Sequence, residues 1–356
     1  MSKKASNIMK CIAIILVFMH HLFYMVIDID DLNIICSDYE LLSSVGFISK
    51  VCVSIFVFVT GYGTYRSYQE KGLLEKPFIL LVKDAIYRYI KLSTSFGVIF
   101  IIALMLAPLG SDINAIYGSH PVSKVFFILV DFLGLSNILA TPTYNGTWWY
   151  MSFALMLITI FPVIGKTISH VEGWILFVVF FVIRYLNVDS NFAWYLIVVC
   201  AGGVVAHIGF YEKILREYNG KSVFKLCGFG VKVLFAIVIL GLFRLYMIQC
   251  WDLIEMLFCI LLGIIVCIFI ERIPVISDGM AFVGKHSMNM FLIHSFIYYY
   301  WFRMHTYSFR YPILIVIVLL IETLILSVII EKIKKCLKIN RFSDWLFKKI
   351  ECFVFS

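Results

Sequence analysis

Charge is what this chain lacks most. Only 15% of its 356 residues are Asp, Glu, Lys or Arg, against 62% hydrophobic, and the mean hydropathy is +0.97. A water-soluble domain needs about a quarter charged residues to cover itself, so a soluble globular class is excluded. Cys-x-x-Cys pairs are missing, although ten cysteines are present. No metal site is expected, because thiols scattered through apolar stretches pack as small hydrophobes; Cys36 and Cys250 are the two left open to a disulfide. No small-x-small cleavage site follows the first apolar run, which meets Asp28-Ile29-Asp30-Asp31 instead and is expected to stay attached. Long polar segments are absent too. The stretches 66–91, 110–146 and 332–356 are each too short for an independent core, and there is no internal repeat.

What is present is a series of ten apolar stretches, each about 17–25 residues, the length that crosses a hydrocarbon core of about 30 Å. They cover 9–27, 45–65, 92–109, 147–165, 172–188, 192–210, 223–243, 253–270, 284–302 and 311–331. The fold class that follows is all-α, a multi-pass membrane protein with about ten transmembrane helices. With both termini cytoplasmic, 24 of the 30 Lys and Arg fall on the inner side, leaving Lys50, Lys124, Arg184, Arg244, Arg303 and Arg310 outside. The positive-inside rule strongly prefers this orientation over the inverse. The net charge of +8 is then a topology and headgroup signal, and no nucleic-acid partner is implied. The chain divides into a membrane domain, 1–331, and a basic amphipathic cytoplasmic tail, 332–356. Within the outer segment, the apolar run in 122–140 has the length of an interfacial or re-entrant helix. Asn145-Gly146-Thr147 matches a glycosylation acceptor.

Lys10 and His21 lie eleven positions apart inside the first apolar stretch. Eleven helical steps of about 100° bring both side chains to one face, roughly 16 Å apart along the axis. Ionisable groups in a span cost about 2.5–3.5 kcal/mol each by insertion scales, so a shared stripe points toward protein or water. The plainer reading keeps Lys10 as an inner-side anchor and His21 as an interfacial residue.

These residues resemble acyltransferase family 3, the integral-membrane acyltransferases. The family signature is a basic residue, ten intervening residues and a His in the first span, here Lys10 to His21. An aromatic-rich run ending in Ser-Gly is similar to Val53-Ser54-Ile55-Phe56-Val57-Phe58-Val59-Thr60-Gly61, with Thr for Ser. A cytoplasmic Arg-x-x-Arg is matched by Arg88-Tyr89-Ile90-Lys91, Trp148-Trp149-Tyr150 leads a span through Phe161-Pro162, and His294 lies in an apolar late span. The resemblance runs from about residue 7 to 330. The sequence departs from the pattern after Trp149, where many members carry an acid and this chain has Tyr150-Met151-Ser152, so no carboxylate partner is assigned to His21. The fused esterase-like domain of some relatives is also lacking, which implies a stand-alone transferase.

The resemblance implies acyl transfer from acetyl-CoA, the acyl-donor co-substrate, to a hydroxyl of an extracytoplasmic glycan or glycolipid, in the plasma membrane. A His suits the base, since its ordinary pKa is about 6.5. His21 is the expected catalytic residue, and Lys10, Arg88 and Lys91 are placed to hold the donor's phosphates. Ordinary topology anchoring is the alternative for Arg88 and Lys91. His294, Trp149 and Asp131 are the expected acceptor-side residues. Against that, Trp148, Trp149 and Tyr150 equally suit an aromatic belt, and His294 and Glu322, at similar depth, would satisfy each other as a pair. His20, about 100° from His21, is secondary. Two other classes stand beside the enzyme: a proton-coupled transporter using Lys10, His21, His294 and Glu322, and a non-catalytic sensor.

Overall fold

The computed structural model describes residues 1–24, 34–185, 191–218, 221–246 and 251–354. Asp28, Asp30, Asp31 and Cys250 lie outside them. Among the described residues there are helices and turns and no strand. In chain order the helices are α1 (Lys3–Phe23), α2 (Tyr39–Ile48), α3 (Cys52–Glu70), α4 (Phe78–Met105), α5 (Ile113–Tyr117), α6 (Pro121–Phe132), α7 (Trp149–Val171) and α8 (Trp174–Tyr185). They continue with α9 (Asn191–His207), α10 (Phe210–Tyr218), α11 (Val223–Tyr246), α12 (Trp251–Ile268), α13 (Pro274–Ser295), α14 (Arg303–Tyr307), α15 (Pro312–Cys336) and α16 (Ile339–Val354).

By length and composition, seven helical runs among the described residues can cross a membrane: α1, α2 continuing into α3, α4, α7, α11, α12 and α15. The chain is an all-α polytopic membrane protein. The three other expected spans are helical but fall short as crossings for separate reasons. The 172–188 stretch yields α8, whose 12 residues reach only about 18 Å. The 192–210 stretch is α9, which bends by 52° into α10 and counts as an eighth span only if the pair is taken together. The 284–302 stretch falls in α13 and the wide turn Phe296–Trp301, and α13 carries Asp278, Lys285, His286, Asn289 and His294.

The fold divides into two compact units. The first holds α1–α3, α8–α12, α7 from Val163 and α13 up to Ser287. Its α1 starts on a Ser2 cap that accepts from the Ala5 N–H at 2.9 Å, and buries Ile8, Ile14, Val17 and Phe18. The tightest packing is between α3 and α9. A Cβ on Gly61 would lie 2.2 Å from the Val199 carbonyl oxygen, and one on Gly202 would lie 2.3 Å from that of Phe58. Lipid provides no hydrophobic drive between helices, so close backbone approach through small residues holds such pairs together. The Gly of the Thr60-Gly61 motif is therefore fixed by α9. Gly61→Val should cost about 1–3 kcal/mol by overpacking, read as a lower unfolding temperature in lipid. An unchanged temperature would show that α3 and α9 do not approach this closely.

The second unit holds α4–α6, the first part of α7, the end of α13, and α14–α16. Its core is aromatic. Trp148 is buried against Phe96, Phe100, Tyr144 and Phe296, and its Nε1 donates to the Leu292 carbonyl at 3.0 Å. On α6, Val122, Val125, Phe126 and Leu129 are exposed while Val130 and Asp131 are buried, the amphipathic pattern of an interfacial helix. α15 continues through residue 332 to Cys336, and α16 then packs along α4.

Candidate functional site

The first unit carries Lys10 and His21. Both are half-buried, while Ile14 and Val17, between them on that face of α1, are buried. One turn-face thus leads from the cation to the imidazole along packed apolar side chains. His20 is held differently. It is buried, donates from Nδ1 to the Gly46 carbonyl at 2.9 Å, lies edge-on to His21 with centroids 5.2 Å apart, and stacks on Tyr24 at 5.4 Å.

A charged network sits beside this helix end. Gly46 takes His20, and the next carbonyl, that of Phe47, takes Arg244 Nη1 at 3.3 Å. Arg244 reaches Glu255 Oε1 from Nε at 2.8 Å and from Nη2 at 2.7 Å, and Ser54 Oγ donates to the other carboxylate oxygen. The guanidinium also lies over the rings of Phe47 and Trp251, at 5.1 and 4.9 Å. Arg244 and Glu255 are both buried. The charge count places Arg244 on the outer side without a partner residue. The signal that would have found the pair is Glu255 itself, an acid inside the apolar 253–270 stretch.

The second unit carries Arg88, Lys91, Asp131, Trp149 and His294. Asp131 is buried and accepts four hydrogen bonds: from Tyr117 Oη at 2.6 Å, Tyr144 N at 2.6 Å, Ser136 Oγ at 2.8 Å and Thr143 Oγ1 at 3.0 Å. Burial, and then the adjacent carboxylate, push the Tyr117 phenol well above its ordinary range, so it stays a donor. Asp131 thereby fixes the loop that presents Asn145. Asn145 is fully buried, donates to Ser295 Oγ at 2.6 Å and accepts from Thr147 N at 3.0 Å, so the Asn-Gly-Thr sequence is closed to glycosylation in this fold. Ser295 adjoins His294, and a run of rings links His294 through Phe291 and Tyr150 to Trp149. Asp131, Trp149 and His294 therefore belong to one region of this unit. The expected His294–Glu322 pair does not form: Glu322 pairs with His305 Nε2 at 2.8 Å, and His294 Nδ1 donates to the Phe291 carbonyl at 2.5 Å. Equal depth in two spans does not fix which faces meet.

Arg88 and Lys91 are less than one turn apart on α4. Arg88 Nε contacts Asp84 at 2.5 Å, and Lys91 lies over the Tyr87 ring at 4.6 Å and 3.8 Å from Asp344 of α16. Asp344 is half-exposed, a counter-ion that an anionic ligand can displace, whereas Asp84 is nearly buried and holds Arg88 within α4. A deeper cation, Lys334, donates to Ser95 Oγ and Asn289 Oδ1, both at 2.7 Å. In the sequence it belongs to the basic 332–356 tail.

Among models of known families, that of the acyltransferase domain matches residues 3–332. Neither the curated proteins nor the solved structures give a match.

Proposed function

The chain belongs to this family of membrane acyltransferases, and from that we propose that it moves an acetyl group from cytoplasmic acetyl-CoA to a hydroxyl of an extracytoplasmic glycan or glycolipid at the plasma membrane. The observation that carries the reading is α1: within a family match spanning nearly the whole chain, it presents Lys10 and His21 on one half-buried face. His21 takes the proton from the acceptor hydroxyl as its oxygen attacks the thioester carbonyl; the thiolate of coenzyme A leaves and the proton follows it. Lys10 supplies a cation at the donor end of α1, and Arg88 and Lys91 hold donor phosphates. His294, Trp149 and Asp131 stand on the acceptor side, with Asp131 acting through the loop it fixes. The 24-to-6 distribution of Lys and Arg supports cytoplasmic placement of both termini.

The direct test is acceptor-dependent release of coenzyme A by the purified protein in lipid. The donor contacts are tested separately. Arg88→Gln with Lys91→Gln should weaken acetyl-CoA binding by about tenfold or more while insertion and folding survive, since charge-assisted contacts contribute about 1.5–3 kcal/mol each and partial exposure discounts them. Equal affinity in the double variant would leave these two residues as topology anchors.

A further inference from the structure

We propose that the cavity beside Arg244 is an acceptor subsite that takes one edge of a neutral sugar. This rests on the acyltransferase reading. The cavity has a volume of about 120 Å³ and lies wholly within the first unit, between α9, α11 and α12. Its wall carries two cations, Lys50 and Arg244, two carboxylates, Asp252 and Glu255, and three rings, Trp194, Tyr195 and Trp251.

The charge balance selects the ligand class. Two positive and two negative groups cancel, so a phosphate or carboxylate gains from the cations no more than it loses to the acids. A hydroxyl donates and accepts at once, which suits a wall offering donors from Lys50 and Arg244 beside acceptors from Asp252 and Glu255. The rings add flat apolar faces, with Trp194 and Trp251 set edge to face at 6.1 Å and 71°. Size narrows the choice further, because about 120 Å³ is well below the roughly 300–1,000 Å³ of pockets that enclose a whole drug-sized ligand. One sugar edge fits and a chain of sugars does not.

Position ties the cavity to the helix that carries the proposed base. Trp251, on its wall, packs against Phe47 at 5.4 Å, Phe47 against Tyr24 at 5.2 Å, and Tyr24 stacks on His20, the neighbour of His21. Arg244 is also fixed by the carbonyl of Phe47, next to the one that holds His20. An acceptor seated here lies beside the outer end of α1.

The experiment uses the full chain in lipid nanodiscs, following tryptophan emission during titration with methyl glycosides of neutral hexoses and N-acetylhexosamines, and with glucose 6-phosphate. The neutral glycosides should give a saturable change that the phosphate does not match. Asp252→Asn and Lys50→Gln keep all three rings and the Arg244–Glu255 pair, and each should weaken glycoside binding about tenfold. Absence of a saturable response to any glycoside, tighter binding of the phosphate, or parent-like affinity in both wall variants would overturn the assignment. Coenzyme A release by protein whose glycoside binding ignores the wall variants would leave the acyltransferase reading standing and remove only the subsite.

Discussion

Replacing His21 by alanine is expected to abolish acyl transfer and leave thermal unfolding unchanged, whereas replacing His20 should do the reverse. The two imidazoles are chain neighbours with different surroundings. His20 is 7% exposed, bonded to the Gly46 carbonyl and stacked on Tyr24, so its removal strands a buried acceptor at a cost of about 1–3 kcal/mol. His21 is half-buried on the Lys10 face. Its loss as base should lower the rate by about 10²–10⁴-fold or more. The measurement is acceptor-dependent release of coenzyme A, with unfolding temperature recorded on the same preparations. An active His21→Ala protein beside an inactive His20→Ala protein would move the base to His20, whose Nδ1-to-carbonyl bond already orients its ring. Activity in both would sink base catalysis from α1. Inserting one alanine between Lys10 and His21 turns the pair about 100° out of phase, and it should be as damaging as removing the imidazole.

The parts of this molecule that hydropathy governs were legible. Over their described residues all ten apolar stretches are mainly helical, because a backbone in lipid has to satisfy its own hydrogen bonds. Where helices stop was less so: composition cannot see α9 turning into α10 at Gly209, whose φ of +62° places it in the left-handed region. The Lys10–His21 stripe was readable because one helix carries both residues and its period is fixed. Pairings between helices depend on rotation about each axis, which a single sequence leaves open. Glu322 therefore finds His305 in place of His294, and Asp131 collects its donors from Tyr117, Ser136, Thr143 and the Tyr144 amide. Arg244 was visible as a cation and Glu255 as an acid in an apolar run. Their contact was not.

That contact sets the second large effect. Glu255→Ala should destabilise the first unit by about 3–5 kcal/mol, because it leaves the Arg244 guanidinium, 2% exposed, without its carboxylate in a low-dielectric interior. Ser54 would lose its acceptor as well. Glu255→Gln keeps one oxygen for the guanidinium and puts an NH2 at the other position, from which Ser54 Oγ can accept, so it should fall between parent and alanine variant. Arg244→Met combined with Glu255→Leu replaces both charges by apolar volume and should recover most of the loss, since a buried pair gains little over well-packed hydrophobes once both desolvation costs are removed. The same double variant should weaken glycoside binding, as its cavity keeps only Lys50 and Asp252 as donor and acceptor. Thermal unfolding in nanodiscs orders the four proteins. If Glu255→Ala melts with the parent, water screens the pair, and a cavity wetted to that degree could not hold a sugar through four fixed charges.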